Sequence, residues 1–291
     1  MENREQIKQY IKACEHMIKF FTKFLDTDTL GVKSLSKEDK LKELTDLRYE
    51  IKKDTWPEAE SPKLTQSQKS MKLFGELIST PVKNKNILEF GCCDCELSSL
   101  LKSKFGAKTV VAFKLEDCQS TDTNLLDPNV IFTDNFRVAQ QIAPFDIIIL
   151  NDVIDHLEKP VFWIKQLAKM LSKETGRMFV RCHPWLSRNG THLSEQMNKA
   201  FLHLMLSDDE LGTLGVSNKF TRKITDGMDS YKRFFEESNL KILNHKFYTK
   251  SIEVSFLKNQ VILERIKKFT KIDKNLLEKL EVEFIDFELK S

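Results

Sequence analysis

The stretch NILEFGCCDCELSSLL, Asn86–Leu101, decides the fold. It passes from an apolar segment through a turn into a segment whose leucines recur at helical spacing. The turn places small residues at every second position, namely Gly91, Cys93 and Cys95. Where such a turn binds a nucleotide, the first small residue permits a sharp bend and the later ones let the backbone approach the ligand. The stretch therefore predicts a β-strand, a tight ligand-binding turn and an α-helix.

Apolar strands alternate with amphipathic helices in the rest of this region. The further predicted strands are TVVAF (109–113), VIFT (130–133), FDIIIL (145–150), GRMFVRC (176–182), LKILNHKF (240–247) and VEFIDFELK (282–290). Between the fourth and fifth strands, Ile164, Leu167 and Leu171 lie on one face of a predicted helix. This alternation predicts a Rossmann-like, doubly wound α/β fold with a mainly parallel seven-stranded sheet that is covered on both faces.

Two more helices are predicted before this region, at 4–25 and 37–54, and the two prolines of TWPEAESPK (55–63) mark a boundary after them. We therefore expect a helical N-terminal extension over 1–60 and an α/β domain over 64–291, with a helical lid or insert at about 186–229. The apolar stripe of the first helix can pack on the α/β domain, or it can pair with a protein partner or a second copy in a homodimer.

Composition narrows the classes of protein. The chain has 291 residues, 41% of them hydrophobic and 31% charged, and no apolar run approaches the roughly 20 residues that a membrane helix needs. Its start is too charged for a signal peptide, so we expect a cytoplasmic protein whose six cysteines are reduced thiols. The 46 basic and 43 acidic residues are mixed along the chain and argue neither for nor against nucleic acid.

Two stretches at the ends of the first and fourth predicted strands carry a family resemblance. They are Glu89-Phe90-Gly91 and VIDHL (153–157). Through them the chain from Leu64 to Ser291 resembles the class I S-adenosylmethionine-dependent methyltransferases. In that family an acidic residue and alternating glycines end the first strand, and a Val-Leu-Glu-His-Leu-like stretch follows the fourth.

The resemblance implies S-adenosylmethionine as cofactor and a set of contacts to it. It implies that Glu89 receives the methionine ammonium, that Asp134 lies near the adenine, and that Asn151 and Asp152 face the reaction zone. The implied cofactor-binding residues are Glu89, Gly91, Cys93, Cys95, Lys114, Glu116, Asp134, Asn151 and Asp152. The other reading of Asp134 is a residue that caps its loop.

Two departures from the family pattern predict weaker cofactor binding. A cysteine at residue 93 is strained by about 1 kcal/mol if that position needs a positive φ. Lys114 stands where the family has an acid that accepts the ribose hydroxyls, and a lysine has no acceptor. Glu116 lies two residues on and is the candidate replacement, and losing the ribose contact outright costs about 1.5–3 kcal/mol.

The loop after the fifth strand, RCHPWLSRNGTHLSEQMNKAFLHL, supplies the candidates for chemistry. His183, and after it His192, is the candidate general base, although each can equally be a surface or core histidine. Trp185, Arg188 and Asn198 are the candidate substrate-binding residues, since a guanidinium and an indole suit a planar or anionic group. The cysteine spacing does not favour a metal site.

We therefore expect an S-adenosylmethionine-dependent methyltransferase whose substrate, a small molecule, an RNA or a protein, is unknown. The alternative is a catalytically inactive methyltransferase-like protein that serves as a binding partner or regulatory subunit, which the altered Cys93, Cys95 and Lys114 favour. An NAD-dependent oxidoreductase is disfavoured, because the second strand again lacks its expected acid and the VIDHL segment has no role in that class.

Overall fold

The computed structural model describes Thr45, Ile51 and residues 56–59, 65–92, 95–115, 126–190, 193, 196–213, 215–216, 227–253, 256, 260–272 and 275–291. The predicted N-terminal helices at 4–25 and 37–54 lie outside the described residues, apart from Thr45 and Ile51, which are helical. Within the described residues, no helix is long and apolar enough to cross a membrane.

Seven strands form one sheet in the order β3-β2-β1-β4-β5-β7-β6. The strands are β1 (Asn86–Phe90), β2 (Thr109–Phe113), β3 (Ile131–Thr133), β4 (Ile147–Asn151), β5 (Arg177–Cys182), β6 (Lys241–Thr249) and β7 (Val282–Lys290). The first five are parallel, and β7 runs antiparallel to both β5 and β6. The predicted doubly wound, mainly parallel sheet is confirmed.

Eight α-helices of the described residues connect and cover these strands. They are α1 (Gln66–Leu77), α2 (Glu96–Ser103), α3 (Phe136–Ile142), α4 (Pro160–Lys169), α5 (Asp208–Thr213), α6 (Met228–Glu237), α7 (Gln260–Thr270) and α8 (Leu276–Glu281). Apolar residues of α1 and α2 pack on one face of the sheet, and those of α3, α4 and α6 pack on the other. Each strand that is buried on both faces therefore reads as an apolar run, as in Ile147–Leu150.

Local signals fix several element ends. A capping box begins α5, because Ser207 N donates to Glu210 Oε2 at 2.7 Å and Glu210 N donates to Ser207 Oγ at 3.3 Å. Asn239, which follows α6, has the left-handed φ of 58° that often ends a helix. Within the segment predicted as a helical lid, the described residues include α5 and a 3₁₀ turn, Leu202–Leu204.

A third apolar core lies apart from the two that cover the sheet, and we call the part of the molecule around it the cap. The cap comprises the described residues of 185–216 and 252–280, and Ile51 and Trp56 also pack into its core. Arg265 of α7 donates to Met205 O and pairs with Glu210 of α5, at 2.7 and 2.9 Å. The chain between β6 and β7 and the segment predicted as a lid therefore share one apolar core.

Candidate active site

The turn after β1 is packed against the segment that follows β4. Gly91 has a φ of 89°, and the amides of Gly91 and Cys92 both donate to Phe113 O, at 2.8 and 3.0 Å. A β-carbon on Gly91 would lie 2.4 Å from Val153 Cγ2, which is far inside van der Waals contact. Glycine is therefore required here by both its backbone conformation and its lack of a side chain.

Cys95 begins α2 in a left-handed conformation, with a φ of 57°. Its Sγ lies 3.3 Å from Cys92 Sγ, and both residues are buried. The sequence placed the possible strain at Cys93, which lies outside the described residues. The left-handed cysteine is two residues later, where a non-glycine residue costs roughly 1–2 kcal/mol.

Glu89 is buried at the carboxyl end of β1, where it accepts a hydrogen bond from Ser98 Oγ of α2. A buried carboxylate needs such donors, because burial without them is costly. Ser98 therefore orients the Glu89 carboxylate at the edge of the sheet where the resemblance places the methionine ammonium.

The ends of β2 and β3 hold Lys114 and Asp134. Lys114 is half-buried, and its amide donates to Thr133 O at 2.9 Å, while Glu116 lies outside the described residues. Asp134 is exposed. The residue that caps the following helix is Asn135, not Asp134. Asn135 is the N-cap of α3, and its side chain accepts a hydrogen bond from Arg137 N at 3.1 Å.

Asp152 and His183 meet at the carboxyl ends of β4 and β5. Asn151 pairs with Arg181 in the register of these strands, so the residues that follow them are neighbours. His183 Nδ1 lies 2.7 Å from Asp152 Oδ1, and both side chains are about a quarter exposed. Asp152 has a left-handed φ of 58°, and strained backbone of this kind is concentrated at functional sites.

A second aspartate lies behind this pair. Asp155 is buried, its Oδ1 accepts from the Tyr231 hydroxyl of α6 at 2.6 Å, and its Oδ2 accepts from His183 N at 3.2 Å. The pKa of Asp155 is raised to about 7, mainly by burial and also by the nearby Asp152, against the opposing effect of the Tyr231 hydrogen bond. Sequence reasoning included Asp155 only as part of the VIDHL stretch and did not single out Tyr231, since nothing local marks a tyrosine in an amphipathic helix.

An ion-pair network supports the same end of β5. Arg181 donates to both carboxylate oxygens of Asp286, each at 2.7 Å, and to Glu76 at 3.0 Å. Its guanidinium lies 3.9 Å from the centre of the Phe284 ring, which is 5.6 Å from the His183 ring. The strand β5, which ends just before His183, is therefore joined to β7 by backbone pairing and by charge, and to α1 by charge.

The thiol next to His183 is not a reactive one. Cys182 is buried, and burial raises its pKa well above the ordinary value, with further effects in the same direction from Asp155, Asp152 and Asp286. A thiol in such surroundings remains protonated, and the thiolate is the nucleophilic form.

The predicted substrate-binding residues lie in three different surroundings. Trp185 is buried in the core of the cap, and Asn198 is exposed. Arg188 is buried and donates to both oxygens of Glu253, at 2.9 and 2.8 Å, and to Glu58 O at 2.8 Å. These contacts tie the loop after β5 to the chain after β6, while His192, the second candidate base, lies outside the described residues.

The structure thus brings together Asn151, Asp152 and His183 at the carboxyl ends of β4 and β5. Gly91 packs against Val153, which follows β4. A histidine whose Nδ1 faces a carboxylate holds its proton on that nitrogen, which leaves Nε2 as an acceptor. Such an arrangement can serve as a general base, and it lies at the edge of a parallel sheet where ligands of this fold class bind.

Comparison with known proteins identifies the family. Residues 65–244 match the family model described as a methyltransferase domain, which confirms the resemblance. No curated protein matches the sequence.

Solved structures of similar fold include three methyltransferases. An S-adenosylmethionine-dependent methyltransferase from Archaeoglobus fulgidus is 14% identical, with a TM-score of 0.49 over 78% of this chain and 95% of that one. A second from Mesorhizobium loti is 11% identical, with a TM-score of 0.43 over 73% and 93%. Coclaurine N-methyltransferase, bound to N-methylheliamine and S-adenosylhomocysteine, is 12% identical, with a TM-score of 0.46 over 98% and 94%. Since these identities are low, the assignment depends on the family match.

Proposed function

The chain belongs to the methyltransferase-domain family, and on that premise we propose that it transfers a methyl group from S-adenosylmethionine to a protic acceptor, with His183 as the general base. The observation that carries the proposal is the 2.7 Å contact between His183 Nδ1 and Asp152 Oδ1. A base is useful only where the accepting atom must lose a proton, as a hydroxyl or an ammonium must. The acceptor is therefore of that chemical class, whether it belongs to a small molecule, an RNA or a protein.

The described residues fit the methionine end of the cofactor. Glu89 is a buried carboxylate at the end of β1, which suits an ammonium group. Gly91 makes room for close approach of the turn, Asn151 ends the neighbouring strand β4, and Asp152 follows it. When bound there, S-adenosylmethionine supplies a methyl group activated by a sulfonium.

The ribose end fits less well. Lys114 lies at the position that follows β2 and cannot accept a hydrogen bond from a diol. We propose that the cofactor binds with lower affinity than it would with an acid at this position, by about tenfold to a hundredfold.

The chain's own part in the reaction is to align the acceptor and to remove its proton. Asp152 holds the His183 ring through Nδ1, so Nε2 can take the proton that the acceptor loses. Bound S-adenosylmethionine would supply the methyl group, and its sulfur would leave as S-adenosylhomocysteine. The cap begins two residues after His183, at Trp185, and we propose that it covers the acceptor and excludes water.

Calorimetry with S-adenosylhomocysteine on the purified, reduced protein tests the cofactor half of the proposal. We expect binding in the micromolar range, weakened at least tenfold in Gly91→Ala. A folded protein that binds neither S-adenosylhomocysteine nor S-adenosylmethionine at millimolar concentration would refute the proposal and support the inactive, partner-binding alternative.

A screen with radiolabelled S-adenosylmethionine tests the acceptor half. Pools of hydroxyl-bearing and amine-bearing small molecules, RNA and protein extracts are compared for wild type and Asp152→Asn. Label transferred by wild type and lost in the variant supports the base mechanism. Equal transfer by both proteins would show that the dyad has no catalytic role.

A further inference from the structure

We propose that Asp155 and Tyr231 are positioning residues that fix the backbone and the ring orientation of His183. The inference rests on the proposed role of His183 as the base, and it assigns a task to two buried side chains. It concerns geometry, so it can be tested without knowing the acceptor.

The first step is that one carboxylate joins two elements at His183. Asp155 Oδ1 accepts from the Tyr231 hydroxyl at 2.6 Å, and Asp155 Oδ2 accepts from His183 N at 3.2 Å. The Tyr231 hydroxyl also lies 3.4 Å from His183 O. Asp155 therefore holds the amide of His183, and the same Tyr231 hydroxyl that donates to Asp155 lies near the carbonyl of His183.

The second step is that the ring of His183 is held by a different aspartate of the same segment. Asp152 contacts Nδ1, while Asp155, three residues later, holds the backbone amide. Two separate anchors on one residue restrict both the position of its backbone and the rotation of its side chain. A catalytic base must be held to a fraction of an ångström, and supporting hydrogen bonds of this kind provide that restraint.

The third step is that packing alone does not require these polar groups. Tyr231 is buried in the same apolar cluster as Phe235 and Phe287, where a phenylalanine would fill nearly the same space. Burial of a carboxyl is unfavourable, and replacing a buried polar pair by apolar groups is often neutral or stabilising. A polar pair kept directly under His183 therefore points to a positioning role.

The titratable groups that face Asp155 influence the pH at which its carboxyl ionises. They are Asp152 at the end of β4, Cys182 and His183 at the end of β5, and Tyr231 on α6. Burial raises the pKa of Tyr231 well above its ordinary value, and Asp155 acts in the same direction, so the hydroxyl remains a donor at neutral pH. The carboxyl of Asp155, with a pKa of about 7, is the member whose charge changes near neutrality.

Nuclear magnetic resonance on the full chain with ¹⁵N-labelled histidine tests the proposal, because the chain has only six histidines. His183→Gln assigns the His183 signals by their loss. The proteins compared are wild type, Tyr231→Phe, Asp155→Asn and the matched control Tyr248→Phe. The control removes a tyrosine hydroxyl on β6 from a residue that is not a hydrogen-bond partner of Asp155 in the structure.

We expect the His183 ring of wild type to be in the Nδ1–H tautomer, and we expect Tyr231→Phe and Asp155→Asn to mix it with the Nε2–H tautomer. Tyr248→Phe should keep the wild-type ring signals. We also expect the wild-type amide signal of His183 to shift with a midpoint near pH 7 as Asp155 ionises, and this component to vanish in Asp155→Asn. The amide titration can be measured on wild type alone, so it does not depend on whether the variants fold.

Unchanged ring signals in both folded variants would overturn the proposal and leave the pair as a plain structural tie between α6 and the sheet. A wild-type His183 amide signal that does not shift when the Asp155 carboxyl ionises, at whatever pH that occurs, would also overturn it. Different measurements would refute the proposed function. They are the absence of cofactor binding by calorimetry and full methyl transfer by Asp152→Asn.

Discussion

Gly91 lies so close to Val153 that a β-carbon at residue 91 would come within 2.4 Å of Val153 Cγ2. This contact joins the cofactor turn to the segment after β4. We expect Gly91→Ala to lower the free energy of unfolding by about 1–3 kcal/mol, through overpacking and through its positive φ. We also expect it to weaken S-adenosylhomocysteine binding at least about tenfold, as judged by denaturation and calorimetry.

Gly212→Ala is the matched control, because a β-carbon there meets nothing within 4 Å. It should leave binding unchanged and stability within about 1 kcal/mol of wild type. The double variant Gly91→Ala with Val153→Ala should recover part of the lost binding. Equal behaviour of the two single alanine variants would contradict the packing argument.

Lys114→Asp should tighten cofactor binding. An aspartate at the end of β2 supplies the acceptor that a ribose diol needs, so we expect the Kd for S-adenosylhomocysteine to fall about tenfold. Lys108→Asp makes the same charge change at an exposed position just before β2 and should alter the Kd less than about twofold. Weaker binding in Lys114→Asp would place the ribose elsewhere.

His183→Gln and Asp152→Asn should separate catalysis from binding. Once an acceptor is known, we expect each to lower kcat about 10²–10⁴-fold, because general-base catalysis contributes that much. The Kd for S-adenosylhomocysteine should stay within about threefold of wild type, since the Asp152 side chain acts on the His183 ring. A loss confined to cofactor binding would assign both residues to the cofactor site instead.

Asp155→Asn should change how stability depends on pH. The pKa of this carboxyl is raised from 3.8 to about 7 by burial, so the folded state holds its proton more tightly than the unfolded chain does. The carboxyl therefore stabilises the fold at low pH, and this contribution is lost as the pH rises through about 7. Between pH 3.8 and about 7, the melting temperature of wild type should fall more steeply with rising pH than that of Asp155→Asn. Parallel curves for the two proteins would contradict this prediction.

Glu253→Ala should destabilise the cap. It leaves the buried Arg188 guanidinium with carbonyl partners only, which we expect to lower the free energy of unfolding by about 1–3 kcal/mol. The control Glu264→Ala breaks the exposed pair with Lys267 and should change stability by less than about 1 kcal/mol. If Arg188 instead binds the acceptor, Glu253→Ala should impair methyl transfer with little effect on unfolding.

Much of the fold could be predicted from local pattern. All seven strands were predicted in place, and β1, β2, β4 and β5 were the plainest of them because they are buried apolar runs. The predicted turn at Gly91 has the positive φ that its position suggested. These features depend on residues within a few positions of one another, so a single sequence reveals them.

The site was harder to predict, because its contacts join distant parts of the chain. His183 follows β5, Asp155 follows β4 and Tyr231 lies on α6, and their hydrogen bonds span 28 and 76 positions. Residue type suggested His183 as a base, but it could not show which carboxylate faces it. Arg188 illustrates the same limit, since its partner Glu253 is 65 positions away.

The position of β7 in the sheet has a consequence for synthesis. It lies between β5 and β6 yet is made after both, so on the ribosome β5 emerges with an unpaired edge that persists until β7 follows. Unpaired strand edges recruit other chains, and late, non-local pairing prolongs that exposure. The nascent protein is therefore most vulnerable to aggregation just before its seventh strand is available, which is when we expect chaperones to bind it.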